Sequence, residues 1–269
     1  MWDINAVVEK IRTALKERGL DPSAVNLQCI YHKSVLQELA KLYQEKHEII
    51  DLLGMGGSGV VIKLFNLHQN NFTYDKCIKY PHSLAGTSNL FSLANVLNNE
   101  STMLKLLHHQ NILPIEDIGK FDLTSYQDID ARDKITPYYL MPYVESIDLD
   151  KYAESPYAKN ELLVNLLLQV ATALGYLHEN KYVHLDVKPG NIFIENYKGN
   201  NPRALLADFG FCKQMNILSD KSTLVMGTEP YMHPDLLDLM KNRTKTNPLR
   251  VRDRIKRSAI EHRFDRYSF

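Results

Sequence analysis

Asp186, Lys188 and Asn191 stand at i, i+2 and i+5 in the run Val183-His184-Leu185-Asp186-Val187-Lys188-Pro189-Gly190-Asn191. A second aspartate, Asp208, opens Asp208-Phe209-Gly210 seventeen positions after Asn191. These residue types suit phosphoryl transfer. One carboxylate can orient a hydroxyl nucleophile, the ammonium can neutralise charge on the moving phosphoryl group, and an amide oxygen with the second carboxylate can hold Mg2+. Two protein oxygens completed by phosphate and water are a donor set that magnesium accepts.

Such residues need a rigid frame. The apolar run Ala204 to Ala207 reads as a strand delivering Asp208. Upstream, Leu162, Leu163, Leu166, Leu167, Val170, Leu174 and Leu177 recur at helical spacing, which predicts a helix over 159–180. Between about 47 and 80 the pattern changes to short β-type runs, Ile49 to Leu53, Val60 to Phe65 and Phe72 to Tyr80. An amphipathic helix follows through Leu93, Val96, Leu97, Met103, Leu104 and Leu107. Strands are expected around 112–121 and 137–144, with a long polar loop from Asp122 to Thr136 between them. Residues 1 to 46 read as helices, in two periodic runs.

Gly54-Met55-Gly56-Gly57-Ser58-Gly59-Val60-Val61 is a G-x-G-x-x-G-x-V phrase. Alone it describes any glycine-rich hairpin turn. Its setting is strand before and strand after, whereas the glycines of a dinucleotide fold open a helix. Glycines at Gly54, Gly56 and Gly59 would let backbone N–H groups approach phosphate oxygens. Lys79 follows in Lys76-Cys77-Ile78-Lys79, and β alternation places it on one face with Cys77. Glu100 lies within the next helix, nine residues before His109-Gln110-Asn111-Ile112.

The joint order of glycine loop, Lys79, Glu100, His184 to Asn191 and Asp208 to Gly210 resembles the eukaryotic-type protein kinase domain, in its Ser/Thr-directed branch. The resemblance implies an α+β, two-lobe fold, with a small antiparallel β lobe carrying one helix and a mostly helical second lobe. It implies Asp186 as catalytic base, Lys188 as the phosphate-contacting lysine, and Asn191 and Asp208 as Mg2+ ligands. Lys79 would contact the α- and β-phosphates of ATP and be oriented by Glu100. Val61, Cys77 and Phe193 would sandwich the adenine. In Tyr139-Leu140-Met141-Pro142-Tyr143-Val144, Met141 would be the gatekeeper, and the Pro142 carbonyl and Val144 N–H would bond the adenine edge. Proline keeps its carbonyl, so its presence there is compatible with binding. Asp148 falls where a ribose-binding acid would sit. Leu104, Ile115, His184 and Phe209 match the stacked regulatory spine, and Gly227 to Asp235 resembles the end of the activation segment.

Three features depart from the pattern. Leu185 replaces the arginine that in the family receives an activation-loop phosphate. Activity is therefore expected not to require phosphorylation of Ser222 or Thr223. Loss of activity on phosphatase treatment, restored by rephosphorylating that loop, would refute this. Asp265-Arg266-Tyr267-Ser268-Phe269 resembles the opening of the long central helix of the second lobe, so the later helices are expected to be absent. Between Asp235 and Asp265, nine basic residues from Lys241 to Arg263 make a segment that reads as a solvated stretch, or as a dock for an acidic or phosphate-rich ligand.

The expected division is a helical extension at 1–46, a first lobe at 47–141 and a second at 142–269. The chain has 269 residues with 32 basic and 32 acidic, so no global field favours nucleic acid or a membrane surface. Cys29, Cys77 and Cys212 form no C-x-x-C pair, which fits a reducing, cytoplasmic setting. The N-terminus lacks the basic and apolar regions of a secretory signal, and an effector exported without one fits the same composition. No run approaches the roughly 18 consecutive apolar residues of a membrane span. The leading expectation is a Ser/Thr protein kinase acting on a protein hydroxyl. The alternative is a nucleotide-binding pseudokinase or truncated kinase that acts as an interaction module. A small-molecule kinase on the same fold ranks third, because Gly227 to Asp235 resembles a protein-substrate platform.

Overall fold

Alternating apolar residues between glycine and asparagine breaks form strands here because every second side chain can leave water together. The computed structural model describes residues 47–56, 59–66, 74–81, 90–127, 134–215 and 228–234, with positions 9, 13, 16, 35, 37–39, 41, 42, 237 and 265. The chain forms two compact units. The first comprises Met1–Ser101 and Ile115–Tyr143, the second Thr102–Pro114 and Val144–Phe269.

In the first unit, β1 (His47–Gly56), β2 (Gly59–Asn66), β3 (Tyr74–Tyr80), β4 (Asp117–Asp122) and β5 (Ile135–Pro142) make one antiparallel sheet in the order β1-β2-β3-β5-β4. Val60, Ile62 and Leu64 are buried on one face of β2, and Ile78 and Tyr80 are buried on the same face of β3. An aromatic cluster continues this face onto β4 and β5. Phe121 stacks on Tyr138 at 4.4 Å between centroids and meets Tyr80 edge-on at 6.2 Å. Gly119 passes so close to the Tyr138 ring that a Cβ there would sit 2.3 Å from it. Helix α1 (Leu90–Leu106) begins in this unit and buries Leu97 and Glu100.

Two residues upstream of β1 join the buried core. Helical positions Val35 and Leu39, one turn apart, are fully buried. Between them Glu38 accepts a hydrogen bond from the Tyr126 hydroxyl at 3.0 Å, and Lys41 pairs with Glu38 at 2.5 Å. Lys134 Nζ donates to the Tyr126 carbonyl. Burying two aliphatic side chains contributes about 1.5–3 kcal/mol each. Glu38 is thus fastened to the β4–β5 connection through Tyr126.

The second unit is built on helix α3 (Asn160–Glu179), following β6 (Ser146–Asp148) and the short helix α2 (Leu149–Glu154). Its stripe Leu166, Val170, Ala173, Leu174 and Leu177 is buried, and the helix packs on β7 (Tyr182–Val183) and β9 (Arg203–Leu206). Among the described residues it is the one helix long and apolar enough to cross a membrane, at a mean hydropathy of 1.2. That hydropathy comes partly from core positions and partly from Val164, Leu167 and Leu168, which are exposed on its other face. Strands β6, β8 (Ile192–Glu195) and β9 form a three-stranded antiparallel sheet, and β7 pairs with β10 (Lys213–Gln214).

Two boundaries differ from expectation. The strand expected at 112–121 begins at Asp117. Ile112 instead forms a parallel bridge with Leu206, and the Leu113 N–H donates to the Leu206 carbonyl at 2.9 Å. Asn111 is fixed beside them, its Nδ2 donating to Gln169 Oε1 at 3.0 Å and to the Ala204 carbonyl at 2.9 Å. Residues 102–114 therefore cluster with the second unit, and the second division falls at Tyr143/Val144, two residues beyond the expected one. Gly57, Ser58, Ser222, Thr223, Gly227, Asp235 and the basic segment 241–263 lie outside the described residues.

Candidate active site

The ladder of the first unit sorts the expected nucleotide residues by face. Val61 pairs with Lys79, Cys77 with Met141, and Lys79 with Tyr139. Directly opposed residues share a face, so Val61, Cys77, Lys79 and Met141 lie together, opposite the buried Val60–Ile62–Leu64 side. Gly54 pairs with Val61, and β1 and β2 close on the Gly56–Gly59 pair. At Gly59 a Cβ would lie 2.6 Å from the Tyr80 carbonyl oxygen, so only glycine lets β2 start this close to β3. Pro142, paired with Lys76, is the last residue of β5.

Lys79 and Glu100 meet as the resemblance implied. Lys79 Nζ donates to Glu100 Oε1 at 2.9 Å and Oε2 at 2.8 Å, and both residues are buried. A buried pair adds little net stability, but removing one partner strands a charge and costs about 3–5 kcal/mol. The pair thus ties strand β3 to helix α1 firmly and in one geometry.

In the second unit the run after β7 turns sharply. Leu185 has φ 67°, a left-handed conformation that costs a leucine about 1–2 kcal/mol. Asp265 holds it there: the His184 N–H donates to Oδ2 and the Leu185 N–H to Oδ1, each at 2.9 Å, and His178 Nε2 lies 2.9 Å from Oδ2. Asp265 is completely buried. His184 Nε2 lies 3.0 Å from the Ala207 carbonyl, and its ring packs edge-on against Phe209 at 4.8 Å. Of the expected spine, Leu104, His184 and Phe209 fall in this unit and are buried, while Ile115 falls in the other.

Asp186, buried to 2% exposure, has its carboxylate fixed by four donors. Oδ1 accepts from the Thr228 N–H at 2.8 Å and the Thr228 hydroxyl at 2.7 Å. Oδ2 accepts from Asn191 Nδ2 at 2.9 Å and lies 3.0 Å from Lys188 Nζ. Lys188 Nζ also donates to Thr228 Oγ1 at 2.7 Å. A turn of 3-10 helix, Pro189–Asn191, brings Asn191 back onto this group, with Pro189 at its first position where no N–H is needed.

The other donor of Asn191 Nδ2 goes to the Asp186 carbonyl at 2.8 Å. With both amide protons turned to Asp186, Oδ1 is the atom of Asn191 that remains to face a ligand. The Asn191 backbone carbonyl accepts from the Ala207 N–H at 2.9 Å, which sets Asp208 one residue away. Asp208 is partly exposed at φ 62°, a region aspartate tolerates better than most residues. No group of three or more His, Cys, Asp and Glu able to hold a metal occurs among the described residues. One carboxylate and one amide oxygen are still the few protein donors that magnesium takes when phosphate supplies the rest.

Asp148 caps helix α2. Its Oδ1 accepts from the Lys151 N–H at 2.9 Å, and Oδ2 pairs with Lys151 Nζ at 2.6 Å. The capping bonds with Lys151 hold its pKa below the usual carboxylate value against the opposing, and largest, effect of burial. In this structure its carboxylate serves as the N-cap of that helix. Phe193 in β8 pairs with Asp148 and Leu205 and is half-buried. Val144 lies just past the division, its carbonyl accepting from Ser146 Oγ at 3.2 Å.

Thr228 and Asp265 carry bonds that sequence reasoning did not assign. Both stood in phrases matched to the family, but nothing in a linear sequence says that a hydroxyl forty-two residues on will meet Asp186. Cys212, two residues past Gly210, is buried, and burial pushes its thiol above the usual range, which disfavours the thiolate.

Comparison with known proteins agrees with this geometry. The family model described as "Protein kinase domain" matches residues 47–249. Serine/threonine-protein kinase ULK1 of Homo sapiens is 29% identical over 193 residues, covering 70% of this chain and 17% of that protein. The probable serine/threonine-protein kinase nek2 of Dictyostelium discoideum is 29% identical over 205 residues, covering 73% and 44% respectively. Serine/threonine-protein kinase Pkn1 of Myxococcus xanthus is 31% identical over 129 residues, covering 47% and 18%. The aligned part of this chain thus spans less than half the length of each of these curated relatives. With its five-stranded antiparallel sheet, its Lys79–Glu100 pair and its Asp186 loop, the chain belongs to the protein kinase domain family.

Proposed function

We propose that this chain is a Ser/Thr protein kinase that transfers the γ-phosphoryl group of ATP to a protein hydroxyl. The observation that carries the reading is the Asp186 carboxylate, buried and held by Thr228, Asn191 and Lys188. In the transfer, the substrate hydroxyl oxygen forms a bond to the γ-phosphorus, the bond to the β-phosphate bridging oxygen breaks, and ADP leaves. Asp186 orients the hydroxyl and takes its proton. Lys188 offsets negative charge on the three equatorial oxygens, and Thr228 keeps Lys188 and Asp186 in register. Lys79, oriented by Glu100, meets the α- and β-phosphates, and the glycines of the β1–β2 hairpin admit them to the backbone. Asn191 Oδ1 and Asp208 would hold Mg2+. Such an ion, when bound, neutralises charge on the β- and γ-phosphates. Lys188 two positions after Asp186, its bond to Thr228 and the Ser/Thr kinase names of the relatives support serine or threonine as acceptor.

The test is γ-phosphate transfer from ATP with Mg2+ to a mixed protein substrate. Lys79→Met and Asp208→Asn are each expected to lower transfer at least about 10²-fold, the scale of one positioned electrostatic group. Asparagine tolerates the left-handed backbone at position 208, so the second loss reports the charge and not the turn. Transfer by both variants at the wild-type rate would overturn the chemistry. Tight ATP binding with no transfer by the wild-type chain would favour a nucleotide-binding interaction module.

A further inference from the structure

Lys63 stands on the same side of the β sheet as the expected nucleotide residues. The ladder opposes Lys63 to Cys77 on β3 and to Asp51 on β1, two positions along from the Val61–Lys79 pair. It therefore shares a face with Val61, Cys77, Lys79 and Met141. It is 9% exposed, which is unusual for a lysine whose four-carbon stem could carry its ammonium to water. Its Nζ lies instead 3.9 Å from the centroid of the Tyr143 ring. That is close for a cation over an aromatic face, where contact extends to about 6 Å.

Tyr143 occupies the point where the ladder stops. β5 ends at Pro142, which has no N–H to donate, and the next residue is the last of the first unit. Past that point the sheet no longer dictates the backbone path. The segment 142–144 is the one expected to meet the adenine edge. A ring fixed to β2 by a buried cation supplies the restraint that strand pairing no longer gives.

We propose that Lys63 is a positioning residue for the nucleotide base: its ammonium over the Tyr143 ring holds the chain leaving β5 in the course that ATP binding needs. The inference rests on the kinase reading above. It assigns Lys63 no contact with the reacting atoms. It predicts an effect on ATP affinity and little on the chemical step. A buried cation over an aromatic ring corresponds to about a threefold to tenfold change in an equilibrium constant.

The experiment measures the Kd of the full chain for ATP with Mg2+ by equilibrium titration, and kcat for transfer, in Lys63→Met, Lys63→Arg, Tyr143→Leu, the Met/Leu double variant and Lys79→Met. Methionine keeps the apolar stem and removes the charge, and arginine restores a cation that stacks well on a ring. The expected result is a Kd raised about threefold to tenfold in Lys63→Met and in Tyr143→Leu, with no further rise in the double variant, kcat held within about twofold, and recovery of Kd in Lys63→Arg. An unchanged Kd in both single variants, additive effects in the double variant, or a parallel loss of kcat that arginine does not rescue would each overturn it. If Lys79→Met abolishes transfer while Lys63→Met leaves Kd unaltered, the positioning role alone fails. If Lys79→Met retains wild-type affinity and transfer, the site reading fails and takes this inference with it.

Discussion

Replacing Asp186 with asparagine is expected to lower kcat by about 10²–10⁴-fold, the usual contribution of a positioned general base. Two causes add. An amide cannot take the hydroxyl proton. It also cannot satisfy the surrounding donors: Thr228 presents an N–H and an O–H to Oδ1, and Asn191 and Lys188 present N–H groups to Oδ2. Whichever way the amide turns, its NH2 faces two donors, and the Lys188–Thr228 contact loses its anchor. The ATP Kd should change little, because the loss falls on the acceptor side of the reaction. Steady-state transfer assays with an ATP titration alongside decide the matter. A kcat within tenfold of wild type would sink the assignment of Asp186 as base.

The second large effect is on stability. Asp265→Asn should cost about 1–3 kcal/mol, since it leaves a buried N–H facing another donor. The retained amide oxygen can still serve the His184 N–H and His178 on the Oδ2 side. The new NH2 then confronts the Leu185 N–H, which has no other acceptor in the geometry described. Leu185 sits in a left-handed conformation that relaxes once this bond is lost. For a chain of this size each kcal/mol lowers the thermal midpoint by roughly 2–4 °C, so a fall of about 4–8 °C is expected. Transfer should drop as well, because Leu185 is adjacent to Asp186. A midpoint within about 2 °C of wild type would show that Asp265 is not the support of this loop.

What the sequence disclosed and what it withheld divide along physical lines. Helix α3 was predicted over 159–180 and runs Asn160–Glu179, because a long apolar period of 3.6 has few competing explanations. The β-rich sheet and the face shared by Cys77 and Lys79 followed from alternation alone. The strand expected from 112 begins at Asp117 because the backbone of Ile112 and Leu113 pairs with Leu206 instead of with β5. Asp148 caps helix α2 through the backbone N–H three residues later, a bond an aspartate before a helix commonly makes. Thr228, Asp265 and Lys63 act through partners separated in sequence, and spacing motifs are blind to such contacts. Lys63 belongs to none of the motifs; the register places it beside Cys77, and its ammonium lies over Tyr143.

The fastening of Val35 and Leu39 bears on how this protein can be cut. The family match begins at His47, and a fragment started there would seem to contain the whole catalytic unit. It would lack the helix whose two aliphatic side chains are sealed inside the first unit, and Tyr126 would lose its acceptor on Glu38. The freshly bared surface beside the β4–β5 connection would be oily and flanked by β structure, the combination that makes truncated domains self-associate during expression. A workable excision must begin upstream of Val35, so for this chain the unit of inheritance and the unit of folding have different ends.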